Sequence, residues 1–125
     1  SLGNGKLAMA LVEAVPAGIY GKAALEWYGI WPKVKSSVAQ ADNVRAALAL
    51  VAWGEAPLGV VYATDAAAEP KVSVISKFPT ASHPPIAYPA ALIAGGDAGA
   101  AAFLDFLSSA KGQAFFQARG FLAPR

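Results

Sequence analysis

Strand-patterned and helix-patterned segments alternate along most of this chain, and that alternation restricts the fold more than any other feature. Lys6 to Ala10 is a short apolar run after a Gly-Asn-Gly turn and reads as a strand. A helix pattern follows near Gly18 to Tyr28 and is ended by Gly29 and Pro32. Val34 to Ala41 is weakly strand-like. Asp42 then stands as an N-cap before Val44, Ala47, Leu48 and Val51, which share one helical face on a helix running to about Trp53. Leu58 to Tyr62 is nearly all apolar, as befits a strand covered on both faces. A short helix over 63–68 follows, with Thr64 or Asp65 as its cap. Val72 to Phe78 reads as a strand because β-branched residues dominate its first half. Ile86 to Ile93 reads as an edge or bulged strand, since Pro89 interrupts it. Helices over Ala100 to Leu107 and Ala110 to Arg119 close the chain. The predicted order is β-α-β-α-β-α-β, then β-α-α. It implies an α/β fold with a mostly parallel sheet flanked by helices on both faces. In such sheets ligands sit outside the strand ends, beside helix N-termini.

One helix mouth stands out. In Val15-Pro16-Ala17-Gly18-Ile19-Tyr20 the proline suits a first helical turn, where its missing N–H would be unpaired anyway. Small neighbours leave the main-chain N–H groups approachable. A helix start of this kind is an anion site built from N–H groups and the helix dipole. Ala17 sits at that mouth, Val44 lies in the opening turn of the second helix, and Tyr62 ends the central strand with a hydroxyl to donate. Neither Ala nor Val has a polar side chain, so their N–H groups are the candidate donors. The ordinary readings stay open: a plain helix start, a core valine and a strand-end tyrosine. Trp27, Tyr28, Ile30 and Trp31 form an aromatic cluster that reads as packing material.

Composition excludes several classes. With no cysteine there is no disulfide, zinc-thiolate site or thiol nucleophile. The formal net charge of +2, with Lys and Arg scattered singly, gives no footprint for nucleic acid. Only 14% of residues are charged against 56% apolar, which suggests surface normally covered by a partner or by further sequence. No apolar run reaches the roughly 20 residues of a membrane helix. The opening Ser1-Leu2-Gly3-Asn4-Gly5 has no signal-peptide pattern. His83 lies alone in a Pro-rich connector, and the carboxylates show no spacing of an acid/base couple or a metal cage. Neither a catalytic residue nor a metal site is expected, and an enzyme is not the expected class.

Three blocks carry a resemblance: Val15-Pro16-Ala17-Gly18-Ile19-Tyr20, then Asp42-Asn43-Val44-Arg45-Ala46-Ala47-Leu48, then Glu55-Ala56-Pro57-Leu58-Gly59-Val60-Val61-Tyr62 with Thr64-Asp65-Ala66. In order and spacing the chain resembles the C-terminal half of the periplasmic molybdate-binding proteins of ABC transporters, which are type II periplasmic binding proteins. Phe78-Pro79, Ser82-His83, Tyr88-Pro89 and the run from Phe115-Phe116 to Gly120-Phe121 extend the likeness over almost the whole chain. One departure is Leu11-Val12-Glu13, where many members carry an Asp-Pro.

The resemblance implies one lobe of a two-lobed protein that binds molybdate or tungstate as an oxyanion, without a cofactor. It implies ligand contacts at the main chain of Ala17, the main chain of Val44 and the hydroxyl of Tyr62. It implies that residues 1–87 form the second ligand-binding lobe and that 88–125 return to the first lobe. It also implies a membrane permease as partner, a periplasmic location, and two serines of an N-terminal lobe that this sequence lacks. Hydrogen bonds to a charged group are each worth about 1.5–3 kcal/mol, so a chain holding half the site is expected to bind near the millimolar range by itself. Apolar elements in 88–125 are expected to repack or to pair with another copy. Alternatives are a binder of sulfate or another tetrahedral oxyanion, and the ligand-sensing domain of a transcription regulator, for which no helix-turn-helix is visible.

Overall fold

The computed structural model describes residues 2–124. The chain divides into two compact units, Ser1–Ile86 and Ala87–Arg125.

The first unit is built on β1 (Leu7–Ala10), the middle strand of a parallel sheet with order β2-β1-β3. β2 (Val38–Ala41) pairs from Leu7 opposite Val38 to Ala10 opposite Ala41. β3 (Leu58–Gly59) pairs opposite Leu7 and Ala8. The Leu11 N–H donates to the Ala41 carbonyl at 3.0 Å and the Val60 N–H to the Ala8 carbonyl at 2.9 Å, so both ladders continue one residue further.

All four residues of β1 are buried, because both faces of the strand are covered. Successive side chains point to opposite faces. Leu7 and Met9 pack with Val12 and with Leu25 of α1 (Pro16–Trp27). Ala8 packs with Ala56 and with Ala47 of α3 (Val44–Ala52). The sheet therefore carries large side chains toward one helix and alanines toward the other, and α3 can lie close to it. α2 (Trp31–Val34) and a 3-10 turn over Lys35–Ser37 lead into β2, and α4 (Ala63–Ala67) follows β3.

In the second unit, α5 (Ala98–Ser108) and α6 (Ala110–Gln117) meet at Ser109. Asp97 caps α5 by accepting from the Ala100 N–H at 2.8 Å. The Ser109 hydroxyl accepts from the Gly112 N–H at 3.1 Å and donates to the Phe106 carbonyl at 2.7 Å.

Several expectations are corrected. Residues 72–78 and 86–93 form no strand, and the sheet of the described residues has three strands. β-branched residues favour extended backbone, but a strand also needs a neighbour, which local pattern does not reveal. β3 is shorter than the apolar run that contains it. The α3 cap is Asn43, whose side chain accepts from the Ala46 N–H at 2.9 Å, and not Asp42. Tyr62, not Thr64 or Asp65, occupies the N-cap position of α4. α5 begins at Ala98, two residues before the expected start, whereas Pro16 opens α1 as its first-turn proline suggests. Trp27 and Tyr28 stack edge to face at 4.8 Å yet are more than half exposed, while Trp31 joins the core around Leu7.

Candidate functional site

Because β1, β2 and β3 run parallel, their C-terminal ends open on one edge of the sheet. α1 starts after β1, α3 after β2 and α4 after β3. Ala17 is the second residue of α1, Val44 the first of α3, and Tyr62 precedes the first residue of α4. All three candidate residues thus belong to the segments that leave the same edge.

The chemistry of the helix starts differs. α1 has no side-chain cap and no acidic residue in its first turn. Pro16 has no N–H to offer, which leaves those of Ala17 and Gly18, and neither has an acceptor among the described residues. α3 also lacks an acid in its first turn. Asn43 satisfies Ala46 there, and the Val44 N–H has no acceptor among the described residues. Uncompensated N–H groups at the positive end of a helix dipole favour an anion. Ala17 is buried and Val44 half-buried, so the donors are main-chain groups beside apolar side chains.

Gly18 has a role that the pattern did not expose. A Cβ there would run into the carbonyls of Leu11 and Ala10. The small residue admits the end of β1, and so seats the α1 mouth directly on the strand end. The same loop is tied sideways, since the Val12 N–H donates to Gln40 Oε1 at 2.8 Å.

Two further residues were missed. Arg45 on α3 donates through Nε to Oδ1 of Asp65 on α4 at 2.6 Å. Asp65 is 8% exposed, whereas the arginine side chain is largely in solvent. The pair spans 20 residues of sequence, beyond the reach of helical periodicity. Two shallow surface depressions lie elsewhere: one beside Val12, Ile19 and Lys22, the other beside Arg45, Asp65 and Glu69. Neither is lined by Ala17, Val44 or Tyr62. No group of His, Cys, Asp or Glu among the described residues is arranged to hold a metal ion. No described helix is long and apolar enough to cross a membrane.

A parallel sheet whose strand ends feed helix starts with main-chain N–H groups to spare can receive a small anion there. Residues 2–122 match the family of bacterial extracellular solute-binding proteins, and the chain belongs to it. It is 44% identical over 121 residues to the molybdate-binding protein ModA of Escherichia coli strain K12, covering 96% of this chain and 47% of that protein. It is 42% identical over 110 residues to the molybdate-binding protein ModA of Haemophilus influenzae, covering 87% and 43%. The chain therefore spans about half the length of these curated relatives. A solved substrate binding domain from Clostridium difficile is similar at a TM-score of 0.77 and 33% identity, over 96% of this chain and 53% of that one. The periplasmic molybdate-binding protein of Azotobacter vinelandii shares the fold, with a TM-score of 0.73 at 23% identity, over 96% and 55%.

Proposed function

We propose that this chain supplies one lobe of the substrate-binding protein of a molybdate ABC importer, working in the periplasm and delivering its oxyanion to a membrane permease. The anion is held by the N–H groups of Ala17 and Val44 and by the Tyr62 hydroxyl, and no covalent chemistry takes place. The segment 88–125 belongs to the other lobe. One observation carries the reading: two helix starts that leave the same sheet edge carry N–H groups without acceptors among the described residues. The relatives that bear molybdate in their names support the choice of anion. Uncharged donors suit a cargo that must be released again, since each bond is charge-assisted only while the anion is present.

The test is calorimetric titration of the full-length protein with molybdate. Val44 is the first residue of α3, and Asn43 before it is extended, with φ −155° and ψ 169°. Proline is tolerated at that helix position and after an extended residue. Val44→Pro thus deletes one donor while keeping the helix. The expected loss is about 1.5–3 kcal/mol, a tenfold to hundredfold weaker affinity. Unchanged affinity in a folded Val44→Pro protein defeats the assignment.

A further inference from the structure

We infer that the Arg45–Asp65 pair is a positioning clamp that sets the spacing between Val44 and Tyr62, and through it the size of tetrahedral oxyanion accepted; this rests on the reading above. The residues are linked without a gap. Arg45 follows Val44 in the first turn of α3. Its Nε donates to Asp65 Oδ1 at 2.6 Å. The Asp65 main-chain N–H donates in turn to the Tyr62 carbonyl at 3.1 Å, as does the Ala66 N–H at 3.1 Å. Val44 and Tyr62 are thus joined through one ion pair and one main-chain turn. β2 and β3 do not touch each other, because β1 lies between them. α3 also packs on β3, with Val51 against Gly59, so what the Arg45–Asp65 bond adds is a directional side-chain link between α3 and α4. Among the described residues, no other ion pair joins these two helices.

Geometry and charge act in the same direction. Asp65 is only 8% exposed and lies three residues after Tyr62, and its carboxylate, left unpaired, would disfavour an anion held there. The guanidinium cancels that charge and holds the carboxylate through a directional, charge-assisted bond. Arg45 acts on the spacing of the donors and needs no contact with the anion.

The test measures molybdate and sulfate affinities of the full-length protein by calorimetry, for the wild type and for Arg45→Ala. Partial unfolding weakens both anions by the same factor, because apparent affinity scales with the competent fraction. The ratio of the two dissociation constants removes that factor. The expected result is a wild-type preference for molybdate that falls at least about threefold in Arg45→Ala. Where Arg45→Ala does not fold, Arg45→Lys keeps the charge, loses the fork of the guanidinium and carries the same expectation at about twofold. A ratio unchanged in the folded variant overturns the clamp and leaves the oxyanion site standing. A wild type that binds molybdate without preferring it to sulfate also overturns the clamp alone. A wild type that binds neither anion removes the site and the clamp together.

Discussion

The two units of this chain use apolar residues in opposite ways. In Ser1–Ile86, Leu7, Met9, Val12 and Leu25 are buried on one face of the sheet and Ala8, Ala47 and Ala56 on the other. In Ala87–Arg125 the one described residue that is buried is Gly112, while Phe103, Phe115 and Leu122 are each more than half exposed. Rings do meet there: Phe103 with Phe106, Phe106 with Phe115, and Tyr88 with Phe121. They meet at the surface. Burial is what stabilises, at about 25 cal/mol per Å² of apolar area. The first unit thus has a core of its own, and the second holds its helix pair through caps and ring contacts. The candidate site lies in the unit that has the core, where donor positions are fixed by packing.

The largest expected effect tests this directly. Met9 is fully buried in the middle strand. Met9→Ala removes its contacts with the α1 side of the core and is expected to cost about 2–5 kcal/mol. Denaturant titration followed by tryptophan fluorescence reads it, and a loss well under 1 kcal/mol would mean the sheet is not the stabilising centre.

A pair of glycines sharpens the contrast. At Gly18 an added Cβ meets the carbonyls of Ala10 and Leu11; at Gly112 it meets the carbonyl of Phe106. Each clash is with main chain, which yields less readily than a side-chain tip, so each alanine costs about 1–3 kcal/mol. The consequences differ in extent. Gly18→Ala is expected to lower amide protection throughout β1, α1 and α3, because the clash sits where the core is seated. Gly112→Ala is expected to lower protection in α5 and α6 while that of β1 stays at its wild-type level. Hydrogen exchange resolved by peptide reads both, and loss of β1 protection in Gly112→Ala would refute the independence of the first unit.

The same contrast explains what was legible in the sequence. The parallel α/β arrangement and the helices α1, α3, α5 and α6 could be read because caps, breakers and helical period are local signals. The first three strands were legible because each precedes a helix in the first unit. Residues 72–78 and 86–93 misled because Val72, Val74 and Ile75 report backbone preference, and the partner a strand needs is a property of the whole fold. Within the candidate site, Ala17, Val44 and Tyr62 were visible as positions. The clamp made by Arg45 and Asp65 was not, since its two ends become neighbours only after β3 and α4 are placed. Gly18 was read as room for a ligand, whereas its missing side chain makes room for β1 itself.

The smallest expected effect lies on the outer surface of the same first unit. Lys22 Nζ and Glu13 Oε1 are 2.5 Å apart, with Glu13 largely in solvent. The hydrogen bond that Lys22 donates to Glu13 raises the lysine pKa above its ordinary value; desolvation opposes the shift, and the charges of Glu13 and Glu26 add to it. A raised folded-state pKa means that the native protein holds this proton more tightly than the unfolded chain. The contribution is therefore complete below the ordinary lysine pKa and is lost as pH rises through the raised value. Exposed pairs are screened by salt and contribute little. Glu13→Gln is the cleaner variant, because it keeps the lysine cation over the Trp31 ring, 5.8 Å from its centroid. The stability difference between wild type and Glu13→Gln is expected to be small and constant across neutral pH, to shrink in the alkaline range above the ordinary lysine value, and to shrink further with added salt. Thermal melts at stepped pH read it. A difference that grows with alkaline pH would reverse the sign of the linkage, and would show that the folded protein does not hold the Lys22 proton more tightly than the unfolded chain.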